Sequence, residues 1–442
     1  MAKNLDMLEQ TKLDKITSDL LRHIRMNKSF VLWLSFLGLA LVVCIYAYTI
    51  QLKEGLSVTG LRDYVSWGMY IGNFIFFVAT SLVGMLISAV LGLSGQKWAA
   101  PLARIAEFIA LAFAAVAGLV IVMDMGRPER LLNVMLFARI QSPIVWDITV
   151  VITYVAISAL LLYLPLIPDI KMCADKLTNI HPLLRKLYRI LALNWKGTPE
   201  QAKLLKKSTR ILAIMIIPVA LAIHTVTSWL FASTTRVGWD SSIFGPYFVT
   251  GAFVSGAAAV IIAMFFYRTN FKLKDYITEL HFDKMGKLLV LLSLVYLYFN
   301  LNEFMVPGYK MKKFDAIHLR ELFTGAHALL FWSVQIFGLI LPILLLFFKK
   351  MRKPAPILII AIFVIIGAWF KRYLIVVPTL EHPFLPIQNV PLNFKFYAPT
   401  LVETMITIAP IILVLIIITI LSKLFPIVPI QETIEHLEES KK

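Results

Sequence analysis

Ten apolar stretches, each long enough to cross a bilayer, run through the chain near residues 30–50, 64–93, 101–123, 144–166, 209–231, 246–268, 285–306, 324–348, 355–378 and 399–421. A helix needs about 20 apolar residues to span the hydrocarbon core. None of the stretches alternates polar and apolar residues as a barrel strand does, which leaves helices to satisfy the backbone in lipid. The expected fold is an all-α integral membrane protein with ten transmembrane helices. Composition agrees: the chain is 59% hydrophobic and 16% charged, against roughly 45–50% and about 25% in a soluble domain. A soluble enzyme, a disordered chain and a disulfide scaffold are excluded. Cys44 and Cys173 lack the spacing of a metal site.

Lys and Arg outnumber Asp and Glu by 43 to 26, a net charge of +17. In a soluble chain this would raise nucleic acid as a partner. In a polytopic chain it marks cytoplasmic loops, and no nucleic-acid partner is expected. Of the 43 basic residues, 29 fall with the two termini and the even-to-odd loops, and 11 on the other side. Both termini are therefore expected in the cytoplasm. In the long fourth loop, Arg185, Lys186, Arg189, Lys203, Lys206 and Lys207 alternate with leucines, a pattern for an amphipathic segment on the cytoplasmic leaflet. Leu5, Leu8, Leu13, Ile16, Leu20 and Ile24 recur among charges, which predicts an amphipathic surface helix rather than a signal peptide.

A weak internal repeat is visible. Trp67-Gly68-Met69-Tyr70 and Phe244-Gly245-Pro246-Tyr247 both read aromatic-Gly-x-Tyr. Asp124 lies 57 residues beyond Trp67, and Glu303 lies 59 beyond Phe244; each acid is followed four residues later by proline, Pro128 or Pro307. Asp147 and His327 then follow those prolines by 19 and 20 residues. Matching landmarks suggest two related four-helix units. The expected divisions are a cytoplasmic amphipathic segment (1–29), helix 1 and its outer loop (30–63), a first four-helix bundle (64–231), a second (232–378), and helix 10 with a cytoplasmic tail (379–442).

Ionisable groups inside spanning helices cost roughly 2.5–3.5 kcal/mol at mid-helix, so each calls for a reason. Asp124, Asp147, His224, Glu303, His327, Lys371, Arg372 and Glu403 all fall in the outer third of their helices, and only Glu107 lies toward the inner side. Solvated helix ends, a packed histidine and a buried Glu303 ion pair remain open for individual members. One-sided clustering nevertheless predicts a polar pocket, open to the outside and reached from the bilayer by a lipid-soluble substrate. Arg372 is favoured over Lys371 to pair with a carboxylate, because its fork suits one. Glu107 is a candidate proton entry, and Glu303, His327, Lys371, Arg372 and Glu403 are further proton-path candidates. A secondary transporter, with its site nearer the midplane, and a haem b anchor between His224 and His327 are the alternatives. Phosphate loops, nucleophile elbows and zinc-protease motifs are absent.

The outer loops carry the distinctive residues: Asp124-Met125-Gly126-Arg127-Pro128-Glu129-Arg130, then Ser142-Pro143 and Trp146-Asp147. Arg127 and Arg130 sit on the side that the charge bias depletes, which suggests pairing with Asp124 or docking a partner. Together with Trp67-Gly68-Met69-Tyr70-Ile71-Gly72-Asn73, these residues resemble the NrfD/PsrC-like (polysulfide reductase membrane subunit) family. His224-Thr225-Val226-Thr227-Ser228-Trp229 and Phe244-Gly245-Pro246-Tyr247-Phe248-Val249 resemble its ten-helix branch, found in alternative complex III and in menaquinone-linked complexes of sulfate reducers. The likeness covers helices 2–9. An acid expected shortly after the helix-5 histidine in that branch is replaced here by Trp229 and Leu230.

The resemblance implies a subunit of the prokaryotic inner membrane that binds a menaquinone or ubiquinone as substrate and holds no haem or iron–sulfur cluster of its own. It implies a periplasmic iron–sulfur partner on outer loops 124–143, 232–245 and 307–323, serving a further molybdopterin or cytochrome subunit. On this reading the chain is part of a quinone-linked oxidoreductase, with possible coupling to proton movement. His224 is the expected partner of a quinone oxygen; Asp147 and Asp124 relay protons, with Arg127 holding Asp124 ionised. Trp67, Tyr70, Asn73, Trp146, His224 and Ser228 are the candidate quinone contacts.

Overall fold

The computed structural model describes residues 16–24, 27–177, 180–234, 236–385, 387–391, 394–431 and 433. Among them, ten helices are long and apolar enough to cross a membrane: α1 (Lys28–Val58), α2 (Met69–Leu91), α3 (Lys97–Asp124), α4 (Pro143–Lys176), α5 (Pro199–Ala232), α6 (Phe244–Asn270), α7 (Glu279–Lys310), α8 (Ala328–Leu346), α9 (Pro354–Leu380) and α10 (Leu401–Leu424). The chain is an all-α integral membrane protein. Helix starts follow local chemistry. Asn27, Thr198 and Thr400 accept a hydrogen bond from the first turn of α1, α5 and α10. Proline opens α4, α5 and α9, where its missing N–H has no helical acceptor to lose.

Successive spans run in opposite directions. We call the end bearing residues 16–24 the proximal end and the other the distal end. α2 is the most enclosed span, with 83% of its apolar window buried, and α1 the least, with 17%. α2 packs on α3, α5, α6 and α9; α3 on α4, and α4 on α5. α6 packs on α7 and α9, and α8 on α9. α10 lies against α1 and α3.

Two spans run well past the apolar stretches that announced them. α4 carries Pro165 and Pro168 within it and continues past 166 to Lys176. Each proline removes one helical N–H, but the charge that follows is neutralised: Asp169 Oδ2 accepts from Arg104 Nη1 at 2.5 Å, both residues about 1% exposed. α5 starts ten residues early, at Pro199, because its basic first turns lie beyond the apolar layer. α8 is shorter than expected; it begins at Ala328 and widens into a π-helical turn at Ile336–Ile340. Of the expected amphipathic N-terminal helix, residues 1–15 lie outside the described residues. Residues 16–21 are helical, and Leu20, Leu21 and Ile24 are buried against the bundle.

α8 and α9 cross at Gly338 and Gly367. A Cβ on Gly367 would stand 2.5 Å from Gly338 Cα, and one on Gly338 would stand 2.9 Å from Gly367 Cα. Backbone meets backbone there, so neither side can yield. Gly367→Val is expected to force the helices apart at a cost of about 1–3 kcal/mol, read as a lower unfolding temperature in detergent.

Candidate functional site

Three sets of buried polar side chains meet at the distal end. The first is carried by α4 and α5. Thr227 Oγ1 donates to Asp147 Oδ1 at 2.6 Å between the two helices, and both residues are buried. His224 lies one turn deeper on α5, 2% exposed, and its Nε2 has no hydrogen-bond partner among the described residues. An orphaned buried polar atom costs about 1–3 kcal/mol, so it points to a ligand or water that completes it. Two turns above, Trp67 stacks on Trp239 at 6.0 Å, and Phe231 meets both rings edge-on. Trp239 Nε1 donates to the Ile375 carbonyl at 2.8 Å, tying this aromatic roof to α9. The outer flank is open to lipid: Ile144, Trp146 and Trp229 are exposed.

The second set joins α1, α2, α3 and α10. Tyr70 donates to Gln51 Oε1 at 2.7 Å, and Gln51 Nε2 donates to the Met123 carbonyl at 2.7 Å. Glu403 is fully buried; its carboxyl accepts from the Tyr397 hydroxyl and, at 2.8 Å, from the Gly60 N–H. The Met69 N–H in turn donates to Tyr397. Burial and the Glu403 carboxyl push the Tyr397 phenol well up, so it keeps its proton. Gly68 makes this possible, because a Cβ there would stand 2.4 Å from the Tyr397 hydroxyl oxygen. Asp124 belongs to this set, next to Glu403 and Tyr70.

The third set lies among α6, α7, α8 and α9. Tyr296 and Tyr247 hydroxyls are 3.2 Å apart, Tyr247 reaches Asn300 at 3.3 Å, and Asn300 Nδ2 donates to Gln335 Oε1 at 2.7 Å. Lys371 Nζ lies 4.6 Å from the Phe304 ring centroid and 5.7 Å from that of Tyr247. A small cavity separates Lys371 from Glu303 and reaches His318.

Several expectations about geometry are corrected. Arg127 is exposed, and no ion pair joins it to Asp124 among the described residues; Asp124 Oδ1 is buried without a partner instead. The short loop turns Arg127 outward while Asp124 closes the helix end. Among the described residues Arg372 reaches no carboxylate; its guanidinium lies against Gly251 and Tyr296. Lys371, one position earlier and about 100° round the helix, faces Glu303. His327 is not intramembrane: it precedes the first turn of α8 and its Nε2 is 2.7 Å from Glu381 Oε2. Trp146 is exposed and donates to its own loop at Ile140, away from Trp67. Asn73 spends both polar atoms on neighbouring helices, donating to the Thr407 carbonyl and accepting from Trp369 Nε1, each at 3.0 Å. Tyr70 is likewise committed to Gln51, and Ser228 donates to the Thr225 carbonyl of its own helix. Glu403 sits in the second set, apart from the other proton-path candidates. Glu107 is buried on α3 one turn from Arg104, in the proximal half. His224, Asp147 and Trp67 share the first set, together with Thr227, Phe231 and Trp239. Gln51, Asn300, Gln335 and Tyr397 are new participants; uncharged amides and a phenol in or beside apolar runs were the available signal.

Residues 57–382 match the family model for "Polysulphide reductase, NrfD". The chain belongs to the NrfD polysulphide reductase family. The matched span takes in α2 to α9 and leaves out α10 and nearly all of α1. Among family relatives, a putative dimethyl sulfoxide reductase membrane subunit of Halobacterium salinarum is 27% identical over 77% of this chain and 75% of its own length. A selenate reductase subunit of Mesobacillus selenatarsenatis is 26% identical over 91% and 95%. The Hdr-like menaquinol oxidoreductase integral membrane subunit of Archaeoglobus fulgidus is 22% identical over 89% and 92%. This NrfD chain is thus similar, over nearly the whole length of two of the three, to subunits of oxidoreductase complexes.

Proposed function

We propose that this chain is the quinone-interacting membrane subunit of a respiratory oxidoreductase. It would exchange electrons between a quinone or quinol, held at the distal end of α2–α5, and an iron–sulfur partner on the distal loops. The observation that carries the reading is the buried, unpartnered Nε2 of His224 beneath an aromatic roof and one turn from the Thr227–Asp147 pair. A quinone supplies a two-electron, two-proton couple and needs a hydrogen-bond partner at each ring oxygen. His224 offers one such partner in an apolar surround. Asp147, fixed by Thr227, stands between His224 and the distal surface and would pass the proton on. Trp67 and Phe231 exclude water from above, and the lipid-exposed α4–α5 flank admits an isoprenoid ligand sideways.

The partner surface fits the same assignment. Leu132, Met135, Leu136, Phe137 and Ile140 are all more than 60% exposed in the loop between α3 and α4. They stand beside exposed Arg127, Arg130 and Arg139. Apolar anchors with arginines are the composition of a protein interface. The charge bias supports an outward position for this end, where a partner carrying the clusters would sit.

The test is purification in mild detergent. An iron–sulfur protein is expected to co-purify, and its clusters to become reduced, by electron paramagnetic resonance, when menadiol is added. Recovery of the chain alone, with solute accumulation in reconstituted vesicles, would make it a transporter.

A further inference from the structure

The third polar set has no task in that reading, yet it is built around open space. Two small cavities, each with room for about one or two waters, lie one above the other among α6, α7, α8 and α9, and Lys371 lines both. The deeper one is bounded by Gly251, Gly338, Gly367, Tyr296, Gln335 and Arg372. Glycines keep it open: a Cβ on Gly251 would stand 2.9 Å from Arg372 Nη2. The upper one holds Tyr247, Glu303 and Lys371 and ends at His318 of the short distal helix Lys313–Phe323.

Three polar atoms along this line are buried without a partner among the described residues: Arg372 Nε, Glu303 Oε2 and His318 Nδ1. Nor does any ion pair within 4 Å among those residues consume Glu303 or Lys371. Both line the upper cavity, which has room for about one or two waters. The π-helical turn of α8 borders the deeper cavity, and such turns gather at functional positions. Below, the floor is formed by the apolar side chains of Val254, Leu339 and Val364. Beside the deeper part of this line lies the first polar set, because Arg372, which lines the deeper cavity, is a charge neighbour of His224.

We propose that α6–α9 form a proton conduit between the His224 site and the distal aqueous face, with Lys371 and Glu303 as its relay groups and His318 at its mouth. The proposal rests on the quinone reading. Each quinol oxidised yields two electrons to the iron–sulfur partner and two protons. One proton leaves past Asp147. The other passes the Tyr296 and Tyr247 hydroxyls, crosses water to Lys371 and Glu303, and reaches bulk at His318; quinone reduction runs the path inward. His318 is suited to the mouth, because burial first, then His382, Lys371 and His327, push its imidazole down to about 4 and keep it neutral. The apolar floor makes the conduit one-ended. It exchanges protons with one face and does not pump.

The experiment uses the intact complex in proteoliposomes with menadiol as donor and ferricyanide as acceptor. Glu303→Gln, Lys371→Met and, at the mouth, His318→Gln are each expected to slow turnover roughly 10- to 100-fold. KM for menadiol should not change, the solvent deuterium isotope effect should rise, and added azide, a small proton carrier, should restore the rate. Protons released per electron should stay as in the wild type. Wild-type turnover in all three variants overturns the conduit, as does a loss that azide does not restore. A changed proton-to-electron ratio in Glu303→Gln overturns the one-ended design. His224→Ala in the same assay separates the two claims: if it alone is inactive, the quinone site stands and the conduit falls; if it turns over normally, the quinone site falls.

Discussion

His224→Ala is expected to lower quinone-linked turnover by roughly 100- to 1,000-fold while the complex assembles with its usual subunits. The side chain makes no hydrogen bond through Nε2 that the fold depends on, and the Thr227–Asp147 bond does not pass through it. Removing the ring leaves space, not an orphaned partner, so the structural cost is small beside the chemical one. His224→Gln restores a hydrogen bond to a ring oxygen but not a proton acceptor; it should recover quinone binding and little of the turnover. Asp147→Asn keeps an acceptor for Thr227 and loses the titratable oxygen, so it should slow turnover without altering apparent quinone affinity. Turnover near wild type in His224→Ala would move the quinone site away from α5.

The membrane fold was plain from apolar run lengths alone, because lipid allows few ways to satisfy a backbone. Proline and charge misled at the ends: Asp169 looks like a terminus until Arg104 is placed beside it, 65 residues away in sequence. The candidate site was legible as residue types gathered toward one end of the helices, but not by partnership. Asp124, Asp147 and Glu303 were all visible as acids in apolar runs toward the same end of the helices. Which of them meets which neighbour depends on rotation about each helix axis, and 100° per residue is enough to exchange the roles expected of Lys371 and Arg372. Asn73 illustrates the remaining gap. Its place in the Trp67–Asn73 motif suggested a ligand contact, whereas its two bonds tie α2 to α9 and α10.

The largest stability effect is expected far from His224, at the proximal end. Asp169 of α4 holds Arg104 of α3 at 2.5 Å and also accepts the N–H groups of Ile430 and Gln431 at 3.1 and 3.2 Å. Arg104 adds a bond to the Pro426 carbonyl at 3.3 Å. One carboxylate therefore fixes two spans and the segment that follows α10. Asp169→Ala strands a cation that is about 1% exposed and orphans two amides, a change worth about 3–5 kcal/mol. It should lower the unfolding temperature in detergent and open the chain after Leu424 to protease. Replacing both partners, Arg104→Met with Asp169→Leu, removes the stranded charge along with the pair. Most of the folding stability should return, while the 425–431 segment stays protease-sensitive because its amides have lost their acceptor. If the double variant instead protects that segment as the wild type does, apolar burial of Ile427, Val428 and Ile430 holds it without the carboxylate. Quinone turnover in the double variant should match the wild type, since the clamp and the His224 site lie at opposite ends of the bundle.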